Sequence, residues 1–337
     1  MTMVSGALFK PALSVVIPCY NEQGSIQPLL DRLLPVCRCI FGESFEVVLV
    51  DDGSRDQTWN EIVEHANKVS CVLGIKLARN SGHQLALSAG LQQASGDYIF
   101  VLDADLQDPP ELLPDMLKLV KDGSDVVYGQ RRERAGETWF KRKSASWFYR
   151  LLSRLSDIDI PKDTGDFRLM TRRVLDQFNA MPESHRFVRG MVSWIGFRQS
   201  ALPYDREERF NGQSHYPLKK MLSFAADAIT SFSVVPLRLA SIMGAVISCA
   251  SAVAMAGVGI SFLLGSTIEG WASLAVLILF IGGAQLLFLG IIGEYVGRIY
   301  SESKKRPLYV VDHVYRSQIT TNPVAEMQEM IKAAHSA

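Results

Sequence analysis

At 337 residues the chain can hold one large domain, or one domain with appendages. Lys+Arg and Asp+Glu number 35 each, so no bulk charge points to nucleic acid and none is expected as a partner. Hydrophobic residues make up 48% and concentrate near the C-terminus, which argues against a uniformly water-facing chain and predicts a membrane part.

The first predicted strand is Leu13–Ile17, cut off by Pro18 and followed by the polar turn Cys19-Tyr20-Asn21-Glu22. Apolar spacing predicts a helix over Ser25–Ile40, then a strand over Phe45–Val50 that ends in Asp51-Asp52-Gly53-Ser54-Arg55-Asp56. A helix over Gln57–Val69, a strand over Cys71–Leu77, a turn at Arg79–His83 and a helix over Gln84–Ala94 follow. The fourth strand, Tyr98–Leu102, runs into Asp103-Ala104-Asp105-Leu106-Gln107-Asp108-Pro109-Pro110-Glu111. Pro109-Pro110 imposes an extended turn, and a helix can start from Glu111 with Pro at its first turn. Alternating strands and helices predict a mostly parallel α/β sheet, whose ligands sit beyond the carboxyl ends of the strands.

Three polar or acidic clusters fall at three such ends: Tyr20-Asn21-Glu22, Asp51-Asp52 and Asp103/Asp105. Two carboxylates two residues apart at a strand end can turn toward one hard divalent cation, shared with a substrate's phosphates. On that spacing alone, a solvated acidic turn stands at roughly even odds with a metal site. No G-x-G-x-x-G follows the first strand and no Walker A sequence occurs, which argues against a dinucleotide-binding fold or a P-loop NTPase. Cys19, Cys37, Cys39, Cys71 and Cys249 lack zinc-ligand spacing and read as reduced thiols. The N-terminus lacks a charged segment followed by a long apolar stretch, so no signal peptide is expected.

The motifs Val15-Val16-Ile17-Pro18-x-Tyr20-Asn21-Glu22, Val50-Asp51-Asp52-Gly53-Ser54-x-Asp56 and Asp103-Ala104-Asp105-Leu106-Gln107-x-Pro109-Pro110-Glu111 resemble those of family 2 inverting glycosyltransferases with the GT-A fold. Gly165-Asp166-Phe167-Arg168-Leu169-Met170, Arg209-x-x-Gly212-x-Ser214, Ile229–Ser233 and Gly293-Glu294-Tyr295-Val296-Gly297-Arg298 extend the resemblance to the polyprenyl-phosphate branch. That branch includes dolichyl-phosphate mannose synthases and bactoprenol glucosyltransferases, and the last two motifs favour the bactoprenol type. The resemblance covers about Leu13 to Tyr309.

It implies a nucleotide-sugar donor whose diphosphate is held through Mg²⁺ or Mn²⁺ by Asp105, with Asp103 and Gln107. It implies a donor pocket formed by Pro18, Tyr20, Glu22, Asp52, Asp103, Ala104 and Arg131. The implied acceptor is undecaprenyl phosphate. Arg131, Arg209 and the basic stretch at Lys141 and Arg142 are candidate cations for drawing an anion toward an acidic centre, with Arg209 suited to a two-point phosphate contact. His215 stands where dolichyl-phosphate mannose synthases tend to have Lys, and a neutral imidazole supplies less charge there. Asp166 either orients the acceptor, takes a residual proton, or pairs with Arg168. Asp105, Asp166 and Arg209 are the expected catalytic group.

The stretch Thr138–Ser156 places Trp139, Trp147, Leu151, Leu152 and Leu155 on one side, with Lys141, Arg142, Lys143, Arg150 and Arg154 around it. That pattern predicts a basic amphipathic helix in a membrane interface, over about 138–156, and a second one is expected over 217–236. Leu239–Leu264 has 26 residues without a charge and Trp271–Gly293 has 23, each enough to cross a bilayer as a helix. Basic residues flank the outer ends and only Glu269 lies in the join, so a hairpin with both termini cytoplasmic is expected in the inner membrane. The expected organisation is a catalytic domain over 1–216, an interfacial helix over 217–236, a transmembrane hairpin over 237–296 and a cytoplasmic tail over 297–337.

The expected reaction is transfer of a hexose, glucose from UDP-glucose first, to undecaprenyl phosphate, giving a lipid-linked sugar for cell-envelope glycan modification such as that of lipopolysaccharide. Mannose, N-acetylhexosamine and modified arabinose donors suit the same architecture, and homo-oligomer formation is left open. A processive polysaccharide synthase would carry Gln-x-x-Arg-Trp, which this chain lacks. A non-catalytic nucleotide-sugar sensor would tolerate loss of Asp103, Asp105 and Gln107, yet all three are present.

Overall fold

A computed structural model describes residues 10–132, 164–184, 186–205, 235–264 and 270–316. The first strand, β1 (Leu13–Cys19), shows how its core is built. Val15 and Ile17 face one hydrophobic cluster and Val16 faces another, as the two-residue period of a strand requires. Both faces are therefore covered, and the centre of the strand, Val15-Val16-Ile17, reads as an unbroken apolar run. Helix α1 (Ile26–Phe41) buries Ile26, Leu29, Leu30, Leu33, Leu34 and Cys37, a helical stripe that fills the first cluster.

Next in order come β2 (Phe45–Asp51), α2 (Thr58–Lys68), β3 (Val72–Leu77), α3 (His83–Gln93) and β4 (Tyr98–Val101). Each lies within two residues of its predicted bounds. A 3₁₀ turn over Pro110–Leu112 leads into α4 (Leu113–Lys121), where the double proline predicts a helix start. Strands β5 (Val126–Arg131), β6 (Thr164–Thr171) and β7 (Gln199–Tyr204), with helices α5 (Arg172–Ala180) and α6 (Val188–Ile195), complete the described α/β unit. The eight-stranded sheet has the order β7-β5-β6-β4-β1-β2-β3-β8. Four pairings are parallel and three antiparallel, matching the expected GT-A-like α/β class.

Close packing of α3 on the sheet depends on Gly90. A Cβ there would lie 2.4 Å from Val16 Cγ1 and 2.9 Å from Val50 Cγ2. This contact sets the depth at which α3 presents its first turn to the strand ends.

Two long helices follow, α7 (Val235–Leu263) and α8 (Trp271–Ser303). Their apolar side chains are largely uncovered: Ile242, Val246, Ile260, Phe280, Leu286 and Leu289 are all exposed. Among the described residues one stretch, Phe280–Ser303, is long and apolar enough to cross a bilayer, with mean hydropathy 1.5. The chain then returns to the sheet as β8 (Val311–Arg316), antiparallel to β3. The sequence reading placed these residues in a tail and missed this strand. Arg316 ties it down by donating to the buried carboxylate of Glu46 at 3.1 Å. The two expected interfacial helices, 138–156 and 217–236, lie outside the described residues apart from the last two positions, which open α7.

Candidate active site

The parallel strands β1, β2 and β4 end side by side, and their polar termini meet in one cleft. Pro18, Cys19, Tyr20, Glu22, Asp52, His83, Ala86, Asp103, Ala104 and Asp105 line it. The three clusters separated in sequence are therefore one site in space.

Its walls are interlocked loops. Asn21, at φ +53°, donates its backbone N–H to Ser54 Oγ at 3.0 Å and accepts from the Arg55 N–H at 2.9 Å. Thr58 Oγ1 accepts the Glu22 N–H at 2.9 Å, and Asp56 accepts the Gln23 N–H at 3.2 Å. Gly53, at φ +66°, passes so close to the next loop that a Cβ would sit 2.7 Å from the Arg79 carbonyl carbon. Asp52 spans the same gap, accepting the N–H groups of Ser81 at 2.7 Å and Gly82 at 2.9 Å. Burial raises its carboxyl pKa in spite of those bonds. Both oxygens of Asp52 are thus committed to shaping the cleft in which the resemblance puts the donor.

The β4 end is held in an unusual turn. Leu106 is buried yet sits at φ +61°, a region that side-chain-bearing residues enter at a cost. Asp105 Oδ1 accepts the Gln107 N–H at 3.2 Å across that turn. Asp105 and Asp103 line the cleft, while Gln107 reaches this group through its backbone. Asp103 Oδ1 is buried and makes no hydrogen bond, with His83 Nε2 3.5 Å away. Burial, tempered by His83 and reinforced by the charges of Asp108, Asp166 and Asp105, lifts the Asp103 carboxyl to about 6. A buried carboxylate oxygen without a donor, in a cluster of carboxylates, fits a divalent cation. Among the described residues no group of three His, Cys, Asp or Glu forms a complete protein cage.

Asp166, on β6, is buried beside this group. Arg189 Nε donates to it at 3.0 Å and Gln84 Nε2 at 2.9 Å, while His83 Nε2 lies at 3.1 Å. Arg168 adds a contact at 3.6 Å. Burial pushes the Asp166 carboxyl pKa up, but Arg189, the His83 hydrogen bond and Arg168 together hold it well below the usual range. Burial conversely lowers the His83 pKa, and its bond to Asp166 with the charges of Asp103 and Asp166 overcomes that, leaving it at about 9. His83 is therefore an imidazolium at neutral pH, set between two carboxylates.

Arg131 lies at the end of β5, next to Gly165, and hydrogen-bonds Tyr204. Tyr204 in turn donates to the fully buried Asp108. Arg131 is not among the cleft-lining side chains but supports the neighbouring wall. Arg209, His215, Lys141 and Arg142 lie outside the described residues.

The sequence reading missed His83, Gln84, Arg189, Asp108 and Tyr204. For His83 and Gln84 a signal existed, since the first turn of a helix following a parallel strand lies at the ligand-bearing edge. Arg189 comes from a helix more than eighty residues further on, with no motif to announce it.

The chain has recognisable relatives among known proteins. The family model described as glycosyl transferase family 2 matches residues 14–178. An uncharacterized glycosyltransferase, YkcC, of Bacillus subtilis is 48% identical over 311 residues, covering 90% of this chain and 94% of that protein. The prophage bactoprenol glucosyl transferase homolog of Escherichia coli is 37% identical over 303 residues, covering 90% and 99%. Among solved structures, the mannosyltransferase PcManGT of Pyrobaculum calidifontis aligns at TM-score 0.43 and 17% identity, covering 84% of this chain and 88% of that one. With three strand-end motifs gathered in one cleft and relatives of this identity over nearly its whole length, the chain belongs to glycosyltransferase family 2 and is a glycosyl-transferring enzyme.

Proposed function

We propose that this enzyme transfers glucose from UDP-glucose to undecaprenyl phosphate, with inversion, at the cytoplasmic face of the inner membrane. The observation that carries the reading is the pairing of Asp103 and Asp105 in the cleft, one with a buried, unbonded oxygen. The name of the E. coli relative, a bactoprenol glucosyl transferase homolog, supports the acceptor and the sugar. The exposed apolar flanks of α7 and α8 support a membrane location.

Asp103 and Asp105 are the residues that would hold Mg²⁺ or Mn²⁺, with Gln107 near them. When bound, the cation acts as a Lewis acid that offsets charge on the departing nucleotide diphosphate. Pro18, Tyr20, Glu22, Asp52 and Ala104 form the donor side, and Arg131 braces it. The acceptor oxygen needs no strong base, because a phosphate monoester is already largely ionised near neutral pH, with a second pKa of about 6. Asp166 suits that demand. With Arg189, Gln84 and His83 on its oxygens, it is organised to orient groups rather than to collect a proton. His83 adds positive charge where two anionic substrates meet. Arg209, with His215, Lys141 and Arg142, is assigned to the acceptor phosphate.

Both α7 and α8 are read as crossing the bilayer, with the α/β unit at their outer ends. The return of the chain from α8 into the sheet as β8 supports this, since it brings the end of α8 back to the side of the catalytic unit. The test is a panel of radiolabelled UDP- and GDP-sugars with purified enzyme and undecaprenyl phosphate, followed by lipid extraction. Label from UDP-glucose in the lipid phase supports the reading, and label from another sugar alone reassigns the donor. A long lipid-free polysaccharide would overturn it in favour of a processive synthase.

A further inference from the structure

Among the described residues, the last turn of α8 is bonded to the α/β unit through Glu302. Glu302, in its last turn, accepts the Ser184 backbone N–H at 2.8 Å and the Ser184 hydroxyl at 2.9 Å, one on each carboxylate oxygen. Ser184 lies in the short connection between α5 and α6. Arg186 is fastened in turn. Arg186 donates to the carbonyls of Phe178 at 3.1 Å and Met181 at 2.6 Å, and stacks over the Phe178 ring. Burial lowers the pKa of its guanidinium, and the carboxylates of Glu183 and Glu302 work against that shift. Tyr309, just beyond α8, donates to Gln92 at the far end of α3.

From this anchored connection α6 begins directly at the active site. The Val188 N–H donates to Gln84 Oε1 at 2.9 Å, and the other end of that amide donates to Asp166. The next residue, Arg189, donates to Asp166 Oδ1 at 3.0 Å and to the Thr164 carbonyl at 3.0 Å. Ser184 and Arg189 are five residues apart, a span of at most about 18 Å of extended chain. Position is therefore transmitted from α8 to Asp166 through a short, bonded segment.

We propose that Glu302 is a positioning residue that fixes α6, and with it the Arg189–Asp166 pair, relative to the foot of α8. Resting on the lipid-phosphate reading above, this gives the contact a purpose. A lipid acceptor is presented at the height of the bilayer, and α8 is the element that follows the bilayer. Glu302 registers the acceptor end of the cleft to that height. Its loss leaves donor binding intact and loosens the capture of the lipid phosphate.

The experiment uses full-length enzyme in nanodiscs and compares Glu302→Ala, Glu302→Gln and Ser184→Ala with the parent. Glu302→Ala is expected to speed amide hydrogen exchange over 184–190 while leaving α1 and α2 unchanged. With both bonds to Ser184 lost, the apparent KM for undecaprenyl phosphate should rise by at least about tenfold, with kcat and the KM for UDP-glucose within about twofold. Glu302→Gln keeps one acceptor oxygen and should recover most of the loss. Ser184→Ala, which removes only the hydroxyl bond, should show a smaller effect of the same kind. Exchange and KM like the parent in all three variants would overturn the proposal, as would an exchange increase spread over the whole α/β unit. If the parent itself forms no lipid-linked sugar, the functional reading fails, and the exchange arm still decides whether Glu302 holds α6.

Discussion

The α/β unit and the α7–α8 pair handle the same material, long apolar runs, in opposite ways. In the α/β unit, Val15, Val16 and Ile17 are fully buried because helices cover both faces of the sheet. In the helical pair, Phe280, Leu286 and Leu289 are more than 60% exposed. Apolar surface left open on this scale marks a surface that meets another apolar phase. The first region closes its own core around a buried acidic site; the second leaves its apolar faces open, which is what the proposed membrane location requires. The two regions are joined by Glu302 on Ser184 and by β8 on β3, and in the proposed reading these junctions link the donor site to the lipid acceptor.

The largest effect should come from the acidic pair. Asp105→Asn is expected to lower transfer by about a hundred- to a thousandfold, in line with loss of one preorganised electrostatic partner. The thermal midpoint should shift little, because Asp105 sits at the cleft rather than in a hydrophobic cluster. EDTA should silence the parent, and Mn²⁺ or Mg²⁺ should restore it. The readout is radiolabel in extracted lipid, and undiminished transfer by Asp105→Asn in excess EDTA would remove the metal from the account.

Legibility followed the same division. The first four strands, their helices and the D-x-D turn were readable because each strand carries an apolar run closed by a polar cluster. Strand β6 was harder, since Asp166 and Arg168 interrupt its apolar pattern yet are buried. They are tolerated there through mutual pairing and through Arg189, Gln84 and His83, which are tertiary partners. β8 was not readable at all. Its residues are mostly exposed, and it is a strand because β3 offers an edge. His83 read as the end of a turn, because nothing local announces that Asp103 and Asp166 converge on it.

A second prediction separates the two regions by solvent. Phe280→Arg puts a charge on the exposed face of α8, at a cost of about 2.5–3.5 kcal/mol if that face lies in the bilayer core. The variant should be depleted from the carbonate-resistant membrane fraction. Normal recovery there would mean that α8 does not span as argued.

A third, smaller effect contrasts two glycines. Gly90→Ala drives a methyl group into Val16 and Val50 and should destabilise the α/β unit by about 1–3 kcal/mol. Gly290→Ala, with nothing among the described residues beyond its own stretch of helix within 4 Å of the added carbon, should be neutral or stabilise by up to about 1 kcal/mol. Thermal unfolding in one detergent measures both, and equal shifts would erase the packing difference drawn between the regions.

The central claim, transfer to a lipid phosphate, is tested most directly by changing only the acceptor's head group. Purified enzyme with labelled UDP-glucose should convert undecaprenyl phosphate to a mild-acid-labile, alkali-resistant glucolipid with a β linkage, and should leave undecaprenol untouched. Equal labelling of the alcohol, or label recovered only in lipid-free polymer, would contradict it.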